Sequence, residues 1–394
     1  MTINHEVPAR LLAYPRSELF SGLQWTGEPV RYPSSGTDMH WWAWGADDAL
    51  YFVDDDGSNF GQRWHYAHFL RATGTPPHFT LEEVSLFPEL RREGLSLRKV
   101  RYVAGALAVG TRLYVAAYDY SFDDPDRTTY RMDGDLHPQG IGEDAWFINA
   151  ISQHEGVAAL MYSDDYGCTW QNVPTVDTPY FLGPRFAGLA FVGFGPGYTG
   201  VPDWLGDYVY AISNDENWEN GNYIFLARVP RDHVLDRSAW EFYHGHAHNA
   251  RNAVWVKEEQ DARPVLADPG YVGHPTMTYN AALGRFLLAF GCDSVPHSYA
   301  TPRPFARTHW HRARELHLYE GPTPWGPWAL IHDDPYWEGD HLAYLPQIPS
   351  KWLSADGLSG WMVYSGDYTV QGSPYKGNDS YYGFMTRPFR LVTA

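Results

Sequence analysis

Five segments of this chain repeat one pattern: a turn residue, an apolar and aromatic run, and an aspartate at the end. They are Leu50-Tyr51-Phe52-Val53 running to Asp56, Leu113-Tyr114-Val115-Ala116 running to Asp119, and Tyr208-Val209-Tyr210-Ala211 running to Asp215. The last two are Phe286-Leu287-Leu288-Ala289 to Asp293, and Trp361-Met362-Val363-Tyr364 to Asp367. Self-similarity of this kind marks repeat architectures, in which no single unit buries its apolar face alone. Successive acids lie between 63 and 96 residues apart. The units must therefore carry insertions of unequal length.

Each acid-tipped run has partners in a fixed order. Ahead of it comes another apolar strand and a short turn: 39–44, 103–109, 187–195 and 276–279 in the first four copies. Gly, Asn and Asp in the intervening turns are hairpin signals. After it comes a third strand, at 64–70, 157–162, 223–228, 316–319 and 381–389. A fourth, often with tryptophan, follows at 168–173, 239–243 and 325–330. Aromatics make up 16% of the chain, and aromatic residues favour strands.

Four antiparallel strands repeated radially make a propeller. The expectation is an all-β, five-bladed β-propeller in one domain, 1–394. Its blades fall near 33–90, 97–175, 183–245, 270–332 and 338–391. A strand within 11–32 pairs with the C-terminal strand to close the ring and remove open edges. Residues 123–148, 196–204 and 244–265 read as insertions, the last of them charged and possibly helical in pattern. Ser163-Asp164-Asp165-Tyr166-Gly167-Cys168-Thr169-Trp170 fits the Asp-box of sialidase-like propellers, a structural hairpin whose Asp and Ser satisfy turn amides.

Composition narrows the function. The formal net charge is −18, and nucleic-acid binding needs basic surface to release counterions. Nucleic acid and anionic membranes are excluded as partners on that ground, and a neutral oligo- or polysaccharide fits best. Cys168 and Cys292, far apart in sequence, make neither a disulfide framework nor a thiolate zinc site. The first 18 residues lack an apolar signal core, and no apolar run reaches membrane-spanning length. A cytoplasmic location is the expectation.

In a propeller the start of each inner strand and the end of its neighbour share a rim. That rim would carry Asp56, Asp119, Asp215, Asp293 and Asp367, with Asp38, Arg101, Arg185, His274 and His341 beside them. Asp38 and Asp56 open and close one hairpin, with Trp41 between them as a stacking surface. Two carboxylates across a sugar-sized gap are the minimum equipment for glycoside hydrolysis. Asp54 and Asp55 add like charge, which raises the pKa of a general acid, and either could take the role of Asp56. Arg101 and Arg185 could bind a carboxylate-bearing sugar or pair with the rim aspartates. His274 could hydrogen-bond a hydroxyl. Asp215 and Glu216, in Asn214-Asp215-Glu216-Asn217-Trp218, could complete a subsite or bind calcium through oxygen. No resident cofactor is expected. The alternating His244, His246 and His248 lack a downstream acid or Cys at metal-ligand spacing.

Gly36-Thr37-Asp38 with Leu50-Tyr51-Phe52-Val53-Asp54-Asp55-Asp56-Gly57 resembles the opening blade of the DUF4185-type five-bladed propellers. Tyr223-Ile224-Phe225-Leu226-Ala227-Arg228-Val229-Pro230, then Ala239-Trp240-Glu241-Phe242-Tyr243, and Gly326-Pro327-Trp328 resemble that group too. The resemblance implies a glycoside hydrolase, since some members cleave D-arabinan and related propellers act on arabinans, fructosides and xylosides. It implies Asp38 and Asp56 as the catalytic pair. Those members tend to have Gly-Asp and a small residue where this chain has three aspartates and Gly57. A lyase on the same scaffold would use His274, His341, Tyr344 and Arg185. A non-catalytic sugar-binding propeller is the remaining alternative.

Overall fold

The computed structural model describes residues 14–32, 35–60, 65–88, 99–122, 152–215, 221–246, 251–293, 314–338, 342–367 and 382–394. Within them the protein is all-β, broken by short 3-10 turns. None of the described helices is long and apolar enough to cross a membrane.

Two strands, β1 (Phe20–Trp25) and β2 (Val30–Arg31), precede the first sheet. That sheet is an antiparallel meander of β3 (Thr37–Trp44), β4 (Leu50–Gly57), β5 (His65–Thr75) and β6 (His78–Leu86). The second sheet holds β7 (Lys99–Val109), β8 (Arg112–Phe122) and β9 (Ser152–Ser163).

A nine-stranded sheet follows. Its first half is β10 (Ala190–Phe191), β11 (Tyr208–Asn214), β12 (Gly221–Pro230), β13 (Glu241–His246) and β14 (Ala253–Val256). Its second half is β15 (Leu266–Asn280), β16 (Arg285–Asp293), β17 (Arg314–Gly321) and β18 (Ala329–Trp337). The halves join where β12 pairs with β15. The terminal sheet contains β19 (Leu342–Gln347), β20 (Ser359–Asp367) and β21 (Phe384–Thr393), and both β1 and β2 pair with β21.

The acid-tipped runs are all second strands, and they are apolar on both faces because both faces are covered. In β4, Tyr51 and Val53 enter the largest core with Phe69 and Val103. Leu50 and Phe52 face the other way, into a cluster with Trp352, Val363 and Phe384. The first sheet thus packs between the second sheet and the terminal sheet. In β16, Phe286, Leu288 and Phe290 join the large core, while Leu287 and Ala289 meet Met362 and Tyr364 of the terminal sheet. Each fully buried large side chain contributes about 1.5–3 kcal/mol, so continuous apolar runs are what these positions require.

Three expectations need correction. The first strand of the third copy, expected over 187–195, is only Ala190–Phe191. Pro184 and Pro196 each open a 3-10 turn on either side of it, since proline removes a ladder donor. The fourth strand expected at 168–173 is a single bridge, Tyr162 to Gln171. The turn before it spends its polar groups on itself. Asp165 accepts from the Thr169 amide and hydroxyl, and Ser163 Oγ accepts from the Gly167 amide. Trp170 packs on Phe69 and Phe87 of the first sheet. Among its described residues the segment 244–265 forms no α-helix; it supplies the end of β13, then β14 with Trp255 opposite Tyr243, and one 3-10 turn at Glu259–Asp261.

One local distortion recurs. The inner strands β3, β7, β15 and β19 each carry an extra residue against their neighbour, after Asp38, Ala104, Gly273 and Tyr344. The next residue has positive φ in every case: Met39, Gly105, His274 and Leu345. A β-bulge of this kind bends a strand and re-aims its side chains. At Gly105 it also lets two backbones meet, for a Cβ there would lie 2.3 Å from the Leu189 carbonyl oxygen.

Candidate functional site

The bulge in β3 organises the acids of the first sheet. Asp38 lies opposite Asp55, and Trp41 lies opposite Val53. Met39 and His40 therefore face the single residue Asp54. A second irregularity sits one step along. Thr37 pairs with Gly57 while Asp38 pairs with Asp55, which leaves Asp56 as the extra residue of β4. Gly57 cannot carry a side chain here, because its Cβ would lie 2.0 Å from the Gly36 carbonyl oxygen.

At the bulged end of the hairpin, Asp38, Asp54 and Asp55 have described side chains. Asp38 is buried, and its Oδ2 accepts a 2.7 Å hydrogen bond from the Tyr344 hydroxyl of β19. Asp54 is fully buried. Its Oδ2 lies 2.6 Å from the donating Thr37 hydroxyl, and its Oδ1 lies 2.9 Å from His40 Nδ1. Asp55 Oδ1 accepts from the Val103 amide at 3.2 Å, tying the first sheet to β7. The Met39 amide donates to Ser365 Oγ at 2.8 Å, and Gln347 Nε2 donates to the His40 carbonyl. Asp38 thus sits on a strained turn held from the terminal sheet.

The other sequence candidates are distributed differently. Trp41 is only 3% exposed and belongs to the core, so its ring packs the fold and has no open face for stacking. Arg101 and Asp119 form a buried bidentate pair, Nε to Oδ1 at 2.6 Å and Nη2 to Oδ2 at 3.0 Å. Arg101 also donates to the Thr175 carbonyl, and Asp119 accepts from the Tyr180 hydroxyl. Arg185 points its Nη1 at the carbonyls of Glu259, Gln260 and Ala262, with its guanidinium 5.3 Å from the Phe225 ring centre. Asp215 caps its own hairpin by accepting from the Asn222 amide and side chain. His274 is buried on the bulge of β15. The side chains of Asp56 and Asp293, together with Glu216 and His341, lie outside the described residues.

Tyr344 is the site residue that the repeat pattern did not single out. It occupies the place in β19 that Asp38 occupies in β3, one residue before the positive-φ position. A signal was present: Gly273-His274-Pro275-Thr276 and Tyr344-Leu345-Pro346-Gln347 share a proline in step with the bulge.

One group among the described residues could hold a metal ion: Glu315, His317 and Asp333. His317 places Nε2 at 3.2 Å from Glu315 and Nδ1 at 3.1 Å from Asp333. His68 in the first sheet makes the same third-strand contact, Nδ1 to Glu83 at 2.7 Å, with Nε2 on the Gly57 carbonyl at 3.1 Å. The shared arrangement fits a cross-strand staple in both sheets. A recess lined by Trp42, Trp44, Phe194 and Tyr198 lies at the far end of β3. Six strand steps separate Asp38 from Trp44, about 20 Å.

A family model described as Domain of unknown function (DUF4185) matches residues 144–330, in agreement with the resemblance read from the sequence. The matched segment begins just ahead of β9 and leaves out the β3–β4 hairpin. No curated protein matches. Among solved structures, a putative hydrolase from Bacteroides ovatus is similar at 12% identity and TM-score 0.48, covering 91% of this chain and 87% of the other. The alpha-L-arabinofuranosidase from Podospora anserina is similar at 11% identity and TM-score 0.45, with 95% and 99% covered. The GH43_1 enzyme from Xanthomonas citri is similar at 11% identity and TM-score 0.44, with 92% and 90% covered.

Proposed function

We propose that this protein is a glycoside hydrolase on a five-bladed propeller, the ring closed where β1 joins β21, with Asp38 and Asp56 as its catalytic pair. One observation carries the reading. The first sheet presents a buried carboxylate, Asp38, on a strained bulge and oriented by the Tyr344 hydroxyl. Its neighbours Asp54 and Asp55 have oxygens already engaged, by Thr37 and His40 and by the Val103 amide. That division leaves Asp56 as the second acid. In the reaction one carboxyl group donates its proton to the glycosidic oxygen as the C–O bond breaks. The other takes a proton from water, or attacks the anomeric carbon first and is released by water. A separation near 5 Å gives retention, and about 6.5–9.5 Å gives inversion.

The net charge of −18 favours a neutral glycan through the long-range field, and an arabinofuranoside is the substrate class proposed. The lyase alternative has less support. Arg185, its candidate for uronate binding, is turned to backbone carbonyls, and the Tyr344 hydroxyl donates to Asp38. The test is release of reducing sugar from a panel of arabinans and neutral polysaccharides by the wild type and Asp38→Asn. Turnover by the wild type that drops by about 10²–10⁴-fold in Asp38→Asn is expected. Equal turnover by the two proteins would remove the assignment.

A further inference from the structure

We propose that the buried His40–Asp54 pair is a positioning dyad for Asp38, and that it is present for the chemistry and not for the fold. The inference rests on the hydrolase reading above. Its control lies inside the molecule. Strands β15 and β19 build the same bulge, each with two residues facing one. In place of Thr37, His40 and Asp54, the β15 bulge has Val272, Pro275 and Phe290. The β19 bulge has Ala343, Pro346 and Tyr364. The residues facing those bulges, Phe290 and Tyr364, are fully buried. A proline after the positive-φ residue and an aromatic ring opposite it are therefore enough to make the turn. The first sheet instead buries an imidazole and a carboxylate, an arrangement that usually costs stability relative to apolar side chains. It does so on the inner strand that carries Asp38.

The geometry shows what the pair achieves. Asp54 reaches both flanks of the bulge, Thr37 on one side at 2.6 Å and His40 on the other at 2.9 Å. Residues 38 and 39 lie between those two anchors. The Phe384 ring packs 4.7 Å from the His40 ring, and the Gln347 side chain donates to the His40 carbonyl. The two-residue turn at 38 and 39 is thereby held from both sides while the Asp38 carboxyl group is oriented by Tyr344. An apolar pair would form the bulge but would leave its pitch to packing alone. A shift of about 1 Å in a reacting group can lower the rate on the order of 10²-fold.

The experiment compares kcat, KM and thermal midpoint for the wild type and for Asp54→Asn, His40→Ala, His40→Asn and Asp38→Asn on one arabinan. Asp38→Asn must first abolish turnover; if it does not, the hydrolase reading fails and the dyad falls with it. Given that result, Asp54→Asn and His40→Ala are expected to lower kcat about 10- to 100-fold with KM within about twofold. His40→Asn, which keeps a donor near the Nδ1 position, is expected to recover most of the loss. Should Asp54→Asn fail to fold, the double variant His40→Pro/Asp54→Phe installs the β15 pair and serves in its place, folded and with the same loss of kcat. Folded variants with wild-type kcat, or His40→Asn no better than His40→Ala, would overturn the proposal.

Discussion

Removing Asp119 should destabilise the protein by about 3–5 kcal/mol, and removing Arg101 with it should restore most of that loss. The pair is almost wholly out of water, with the arginine 3% and the aspartate 1% exposed. Two hydrogen bonds join them, at 2.6 and 3.0 Å, and the Tyr180 hydroxyl and the Thr175 carbonyl complete the network. Asp119→Ala leaves a guanidinium buried with one backbone acceptor, and breaking one side of a buried ion pair costs about 3–5 kcal/mol. Replacing both charges by apolar groups of similar volume is often neutral. Arg101→Met with Asp119→Leu should therefore lie within about 1–2 kcal/mol of the wild type. Urea unfolding midpoints of the wild type, Asp119→Leu, Arg101→Met and the double variant give the cycle, with Asp119→Ala beside it. An Asp119→Ala cost under about 1 kcal/mol, or a double variant as unstable as the sum of the singles, would refute the reasoning. The pair would then be solvated and available to ligand.

Three further outcomes follow from local geometry. Tyr344→Phe removes the hydroxyl that donates to Asp38; a reacting group left unoriented loses rate on the order of 10²-fold, so kcat should fall about 10- to 100-fold, and the lost hydrogen bond, about 1.5–3 kcal/mol, should lower the thermal midpoint as well, as steady-state kinetics and melting will report. Gly105→Ala brings a Cβ to 2.3 Å from the Leu189 carbonyl oxygen at φ +49°, and a loss of roughly 1–3 kcal/mol in chemical denaturation is expected from the strained backbone alone. The Asp165 carboxyl is held down at about 2, first by the Thr169 hydroxyl and then by its amide. A depressed carboxylate pKa adds stability that is present above its ordinary value of about 3.9 and is lost as pH falls through about 2. Melting curves of wild type and Asp165→Asn should therefore converge between those pH values and stay parallel above them.

The acid-tipped strands were legible because burial on both faces demands unbroken apolar runs, and the runs are long enough to read. All five second strands fall where the repeat placed them, within a few residues. The inner strands were harder. Their bulges need positive φ at Met39, His274 and Leu345, none of them a glycine, so tertiary packing more than local propensity imposes the turn. Only Pro275 and Pro346 marked the place. The roles within Asp54-Asp55-Asp56 were illegible for a related reason. Consecutive strand residues point to opposite faces, but the two irregularities in β3 and β4 change that alternation within three residues. The sequence patterning of 244–265 also misled, since its charges suggested a helix while the Tyr243–Trp255 pairing made a strand. The Arg101–Asp119 pair stood as an open alternative, because a basic residue at the start of one strand and an acid at the end of the next can face ligand or each other.

The division of labour within the aspartate tract is tested most directly by turnover and melting of three variants, Asp54→Asn, Asp55→Asn and Asp56→Asn, on one neutral arabinan. Asp56→Asn should lose turnover by about 10²–10⁴-fold while melting with the wild type. Asp55→Asn should melt earlier, because its carboxylate ties β4 to the Val103 amide, and should keep more activity than Asp56→Asn. Full turnover by Asp56→Asn, or a loss confined to Asp55→Asn, would contradict the account.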